Sequence, residues 1–230
     1  MYNQANKGKK KTPPKRQKKQ RVILNEMHTD MINSCLITAN GRQPNKRRGE
    51  GDLHYIDVKQ TLSPTSSGTI LSSLVPAPQG ITVSSRIGDT VYLHDMFINY
   101  SLNAANSDVV SMTRVIIFQW HPTNALVAPV VNDILDTTDI YSMYLFQFSA
   151  QFTILYDRLH FSSGTAASPA SSANQGYFGR ISLAKARKKI QYSKSSTLGA
   201  NELFMLIISD STIAPFPSYI GNTRVFFTLE

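Results

Sequence analysis

Two apolar runs between Arg86 and Trp120 set the pattern that the rest of the chain follows. In the first, RIGDTVYLHDMFINYSL, apolar side chains fall at Val91 and Leu93, then at Met96, Ile98, Tyr100 and Leu102. A period of two marks a strand with one buried face, and its slip by one residue near His94–Asp95 predicts a β-bulge. The second run, Arg114–Trp120, is apolar on both faces over Val115–Phe118, which predicts a strand covered on both sides. The linking segment NAANSDVVS has no helical period. The two runs are therefore expected to form a long antiparallel pair in the middle of an all-β core.

The same reading extends in both directions. Leu53–Leu62 is expected as a first strand and Thr69–Val75 as a short second one, with the loop residues SPTSSG between them and PAPQG after them. Beyond Trp120 lies a long loop, His121–Ala150, in which Asn132–Asp136 reads as a helix start or turn and Tyr141–Phe148 as an aromatic patch. Phe152–Phe161, Phe178–Tyr192, Leu203–Ser209 and Thr223–Leu229 read as further strands, and the small-residue stretch Ser162–Gly176 as exposed loop. Many short strands without βαβ alternation or a repeat predict a sandwich or barrel, and the long connections favour Greek keys. The expected fold class is all-β: a single eight-stranded antiparallel jelly roll over residues 52–230, preceded by a basic, largely disordered arm over residues 1–51.

Charge sharpens that division. Residues 1–48 hold Lys7, Lys9, Lys10, Lys11, Lys15, Arg16, Lys18, Lys19, Arg21, Arg42, Lys46, Arg47 and Arg48 against only Glu26 and Asp30, a net of +11. The whole chain is +9, so the remaining residues carry −2. A like-charge block of this kind cannot collapse on itself, and it reads as a tail for a polyanion or a solubilising end. These cations are the candidate nucleic-acid-binding residues, and the clusters Lys9–Lys11 and Lys15–Arg21 have the composition of a nuclear-localisation signal. Within the arm, Ile23, Met27, Met31 and Cys35 recur at four, as do Leu24, Ile32 and Leu36, which predicts a short helix over residues 22–39. That helix packs under the body, binds a partner or lies on a membrane surface. A hinge, Gly41–Gly51, follows it.

Other chemistry is sparse. No apolar run approaches the ~20 residues of a bilayer span, and the basic start MYNQANKGKKKTPPKRQ is followed by no apolar stretch of a secretory signal. Cys35 alone makes neither a disulfide framework nor a metal knuckle, so a reducing intracellular origin without stable membrane insertion is expected. The sequon Asn99-Tyr-Ser falls inside an expected strand. His28, His54, His94, His121 and His160 are scattered, without metal-ligand spacing. Asp133, Asp136 and Asp139 lack the Gly and Glu of a calcium loop and read as a solvated turn. No phosphate loop or nucleophile elbow occurs, so neither enzymatic function nor a cofactor is expected. A second basic cluster, Lys185, Arg187, Lys188 and Lys189, is expected on a strand, with Lys185, Arg187 and Lys189 sharing one face. It contacts nucleic acid from an inner sheet surface, or it is a solvated face that blocks edge pairing.

An ordered set of segments resembles the capsid proteins of circular, Rep-encoding single-stranded DNA viruses, the circovirus-like group whose coats look like those of small satellite RNA viruses. After the basic arm come LHYIDV at Leu53–Val58, Gln79-Gly80 and Arg86-Ile-Gly-Asp, Val91–Leu102, TRVIIFQW at Thr113–Trp120 and PVVNDIL at Pro129–Leu135. FTILYDRL at Phe152–Leu159, KKIQYS at Lys188–Ser193, ELFMLIISD at Glu202–Asp210 and GNTRVFF at Gly221–Phe227 complete it. The apolar segment Val22–Ile37 and the indole at Trp120 depart from the family pattern. The resemblance implies a jelly roll that self-assembles into a small T=1-like icosahedral shell of about sixty copies, in which symmetry repeats one set of contacts. It also implies an arm that gathers single-stranded DNA, with RNA as the alternative cargo, binding to nuclear import receptors, and a location in the virion and the host cell nucleus. A non-viral nucleic-acid-binding module with a basic tail is the reading from a different class.

Overall fold

The structure, a computed structural model, describes residues 53–104, 110–121, 127–163 and 175–229. The basic arm and its expected helix over residues 22–39 lie outside the described residues, as does most of the Ser162–Gly176 segment.

Among the described residues ten strands form: β1 (Leu53–Leu62), β2 (Thr69–Ile70), β3 (Thr90–Asn103), β4 (Val110–Trp120), β5 (Phe152–Ser163), β6 (Gln175–Ile181), β7 (Lys189–Tyr192), β8 (Gly199–Ala200), β9 (Glu202–Ser209) and β10 (Ser218–Leu229). One sheet runs β1-β10-β3-β7-β8, with β6 also on β3, and the other runs β2-β9-β4-β5. All these ladders are antiparallel. If β6 and β7 are taken as one interrupted strand and the two-residue β8 is set aside, the sheets read first-eighth-third-sixth and second-seventh-fourth-fifth. That order, with the chain crossing between sheets through both, is a jelly roll.

Burial explains why the strands split this way. β3 buries one face only, with Val91, Leu93, Met96, Ile98, Tyr100 and Leu102 pointing into the sandwich. Its phase slip is a true bulge: Phe226 of β10 faces Asp95 while Phe227 faces Leu93, leaving His94 as the extra residue. The slip keeps Leu93 and Met96 on the core side, which a regular three-residue step would not do. β4 is buried on both faces from Val115 to Trp120. Val115 and Ile117 meet sheet one, while Ile116, Phe118 and Trp120 meet a second apolar cluster on the outer side. β9 behaves alike, with Leu203, Met205 and Ile207 inward and Phe204, Leu206 and Ile208 outward.

Three sequence expectations are corrected. The runs flanking residues 104–110 are not a hairpin, because β3 and β4 lie in opposite sheets and meet face to face across the core. Each has other edges to pair with, β3 with β10 and β6/β7, and β4 with β9 and β5. The expected strand Phe178–Tyr192 is broken at residues 182–188, and the second strand is only Thr69–Ile70. In the latter, Leu74 still donates its N–H to Leu203 O, but no continuous ladder forms.

The outer cluster is roofed by the excursion between β4 and β5. A helical turn, α1 (Val131–Ile134), stands where the sequence predicts one, and Ile134, Leu135 and Ile140 are buried against Ile116, Phe118 and Ile208. Arg114 latches this roof. Its guanidinium donates to the carbonyls of Ile140 (3.1 Å) and Ser142 (2.7 Å) and makes a two-pronged pair with Asp157, which also accepts from the Tyr144 hydroxyl. Inside the sandwich, Tyr100 Oη lies 2.8 Å from Tyr156 Oη and 2.6 Å from His160 Nε2, joining the two sheets through polar atoms.

Candidate functional surfaces

The thirteen arm cations that the sequence singles out lie outside the described residues. Of the body's candidates, Lys185 and Arg187 fall in the turn at residues 182–188 and Lys189 opens β7, so they do not share one strand face. All three, with Lys188, remain exposed.

The turn exists because its residues have two masters. Leu183 is buried in the core, and Ala186 N–H donates back to Leu183 O, closing the chain on itself. Gln119, from the other sheet, then clamps the turn. Its Nε2 donates to Arg187 O at 2.8 Å, and its Oε1 accepts Arg187 N–H at 2.6 Å. The same Nε2 reaches Asn201 O at 2.7 Å. Asn201, at φ 64, is a rare left-handed position that its short polar side chain tolerates. From there Asn201 Nδ2 donates to Lys189 O, and Oδ1 lies 2.8 Å from His121 Nδ1. Burial lowers the His121 pKa; the Asn201 contact opposes that shift, and the Arg187 charge adds to it. The basic side chains are therefore held on a rigid base at one end of the sandwich, where they present charge to solvent.

The opposite charge sits on the roof. Residues 127–150 contain Asp133, Asp136 and Asp139 and no Lys or Arg. Asp133 accepts the N–H of Val130 (2.8 Å) and Asp139 that of Tyr141 (2.7 Å), so both cap local turns. Large apolar side chains stand beside them: Tyr141, Met143 and Phe146 are 62%, 80% and 88% exposed.

A third surface is the outer face of the β1-β10-β3 sheet. Tyr55 and Phe97 both contact the Phe226 ring, at 6.1 and 6.0 Å, and Arg224 lies 4.7 Å over Tyr55. Arg224 is paired with Asp57 through two bonds and Arg180 with Asp95, so this aromatic face carries little net charge.

Two buried charged residues, for which neither spacing nor composition predicts a role, organise the loops. Arg86 is 0% exposed, yet fully engaged. It donates to the carbonyls of Ala77 (3.1 Å), Gly88 (2.6 Å), Ser196 (3.0 Å) and Lys194, and it pairs with Asp89 at 2.8 Å. Its guanidinium also lies 4.5 Å over the Tyr192 ring. Glu202, also 0% exposed, accepts Ser73 Oγ–H and Gly199 N–H (2.7 Å), tying the segment after β2 to β8. Burial pushes its carboxyl from an ordinary 4.5 up to about 7, against the lowering effect of those two donors. The only visible signal was an acid opening an otherwise apolar strand. Among the described residues no group of three His, Cys, Asp or Glu side chains is placed to hold a metal ion.

No family model matches the chain, and no curated protein matches it. Among solved structures it is similar to the empty head of turnip yellow mosaic virus, at 10% identity and a TM-score of 0.41, over 81% of this chain and 85% of that one. It is likewise similar to Desmodium yellow mottle tymovirus, at 10% identity and a TM-score of 0.38, over 82% and 93% of the two chains. Likeness at these scores adds nothing to the strand order, on which the jelly-roll assignment rests.

Proposed function

We propose that this chain is a viral coat protein whose jelly-roll body assembles into a small closed shell and whose basic arm packages nucleic acid, with single-stranded DNA as the cargo. The observation that carries this reading is the division of charge: a net of +11 on residues 1–48 against a net of −2 on residues 49–230, which contain the jelly-roll body. A two-sheet sandwich whose loops gather at its ends gives a rigid building block, and a cationic segment neutralises phosphates without reading bases. The role is structural and non-enzymatic. The clusters Lys9–Lys11 and Lys15–Arg21 also serve in this reading as a nuclear-import signal. Single-stranded DNA comes from the resemblance of the ordered segments between Leu53 and Phe227.

Binding weakens with salt at a logarithmic slope of about −0.7 per phosphate contact for single strands. With about eight contacts the affinity falls roughly 500-fold for a threefold rise in salt. The test is full-length protein, nuclease-treated and sized by sedimentation and negative-stain microscopy, with the 260/280 nm absorbance ratio and the DNase or RNase sensitivity of extracted nucleic acid. Uniform shells holding DNase-sensitive nucleic acid support the reading. RNase-sensitive cargo moves it to an RNA virus coat, and a monomer that binds oligonucleotides moves it to a nucleic-acid-binding module.

A further inference from the structure

The body carries two exposed surfaces of opposite charge. Residues 184–194 hold Lys185, Arg187, Lys188, Lys189 and Lys194 with no acidic residue, and the roof over residues 127–150 holds three aspartates with no basic one. Each is anchored to β4, at different points and on different faces. Gln119 fixes the basic turn on the inner face through Arg187, and Arg114 fixes the acidic roof on the outer face through Ile140 and Ser142. Residues 114 and 119 are five steps apart on the strand, about 17 Å at ~3.4 Å per residue. The two anchors lie on opposite faces of β4, so the acidic and basic surfaces leave the strand on different sides.

We propose that the acidic roof of one subunit docks onto the basic turn at residues 184–194 of a second copy, as a heterologous contact that closes rings of the shell. The inference rests on the shell-forming reading above. Charge complementarity selects the partner, because a roof with a net of −3 meets a turn with a net of +5. The patch chemistry fits as well: Tyr141, Met143 and Phe146 form an exposed apolar centre next to Asp136 and Asp139. Exposed apolar side chains rimmed by polar ones mark interaction surfaces. Lysine stems cover such side chains and place ammonium groups over the rings of Tyr141 and Phe146. A contact between two different surfaces propagates head to tail, and it makes a closed ring when the rotation closes. The same assignment takes the basic turn away from the cargo and leaves nucleic acid to the arm.

The experiment reverses each surface separately and then both together in the full-length chain. Asp136→Lys with Asp139→Lys is one variant, Lys185→Glu with Lys188→Glu the second, and all four changes in one chain the third. All four positions are exposed, so folding is checked simply by matching far-UV circular dichroism and melting. Each two-site reversal is expected to raise the protein concentration needed for assembly by about tenfold or more at low salt, and the four-site swap to restore it. The expected pattern shrinks as salt rises toward 1 M, where the Debye length is about 3 Å. Reversals that leave assembly unchanged while the wild type forms shells overturn the contact and leave the shell reading standing. A Lys185/Lys188 reversal that assembles normally but carries less nucleic acid assigns the turn to cargo instead. A four-site swap that folds but fails to assemble also overturns the pairing. A wild-type chain that stays monomeric at every salt concentration overturns the shell reading and this contact with it.

Discussion

Removing the guanidinium of Arg86 tests how the loops at one end of the sandwich are held. Arg86→Met keeps much of the side chain's length and its contact with Tyr192 but deletes every donor. The carbonyls of Ala77, Gly88, Lys194 and Ser196 then lose their shared partner. A buried acceptor left unpaired costs about 1–3 kcal/mol, so about 4–12 for four is an upper bound, because only Ala77 is buried while Ser196 is half-buried and Gly88 and Lys194 are exposed. The true figure lies at the low end for two reasons. The Asp89 side chain is 47% exposed, so its half of the ion pair is screened and water can enter beside it. The cost of desolvating the guanidinium is also recovered when the group is removed. An expected loss of about 4 kcal/mol agrees with the roughly 3–5 kcal/mol for breaking a buried charged network. At about 2–4 °C per kcal/mol for a domain of this size, the midpoint falls by about 8–16 °C. Arg86→Lys recovers only part of the loss, because one ammonium cannot span carbonyls on separate segments as a planar fork does. The assay is urea unfolding of the dissociated protein followed by Trp120 fluorescence. A loss for Arg86→Met below about 1 kcal/mol at unchanged m-value would refute the clamp.

Three further outcomes are expected. Glu202, with a folded pKa of about 7 against an ordinary 4.5, holds its proton more tightly when folded. Its contribution is complete below about pH 4.5 and is lost as pH rises through 7, up to about 3 kcal/mol at 1.36 kcal/mol per unit. Glu202→Gln should flatten that fall in a pH series of melting curves, and a variant that tracks the wild type from pH 5 to 9 would disprove it. Gly221→Ala should destabilise by about 1–3 kcal/mol through overpacking, because a Cβ there would run into the Tyr219 ring, 2.6 Å from Cζ; an unchanged melting point would show that the ring simply swings away. Deleting Met1–Arg21 should leave the body's circular dichroism intact and abolish nuclease-protected nucleic acid, and protected cargo in the truncated protein would locate the packaging charge elsewhere.

What the residues alone determined was local. Val91, Leu93, Met96 and Ile98 had to stay on one face, so the slip at His94 was readable as a bulge before any partner strand was known. The unbroken apolar runs Val115–Phe118 and Leu203–Ile208 could only be strands covered on both sides, and two apolar clusters do cover them. The charge division between the first 48 residues and the remainder needed only counting.

What tertiary structure decided was which edges and faces meet. Period-two patterning is the same whether two strands pair edge to edge or oppose each other across a core, so β3 and β4 read as a hairpin although they face each other from opposite sheets. The turn at residues 182–188 keeps strand-like alternation and breaks because Gln119, 68 residues away, takes its backbone groups. Arg86 meets Lys194 and Ser196 across separations of 108 and 110 residues, and Glu202 meets Ser73 across 129. A buried charge is tolerable only where donors or acceptors from distant segments converge on it. Only the folded chain brings them together.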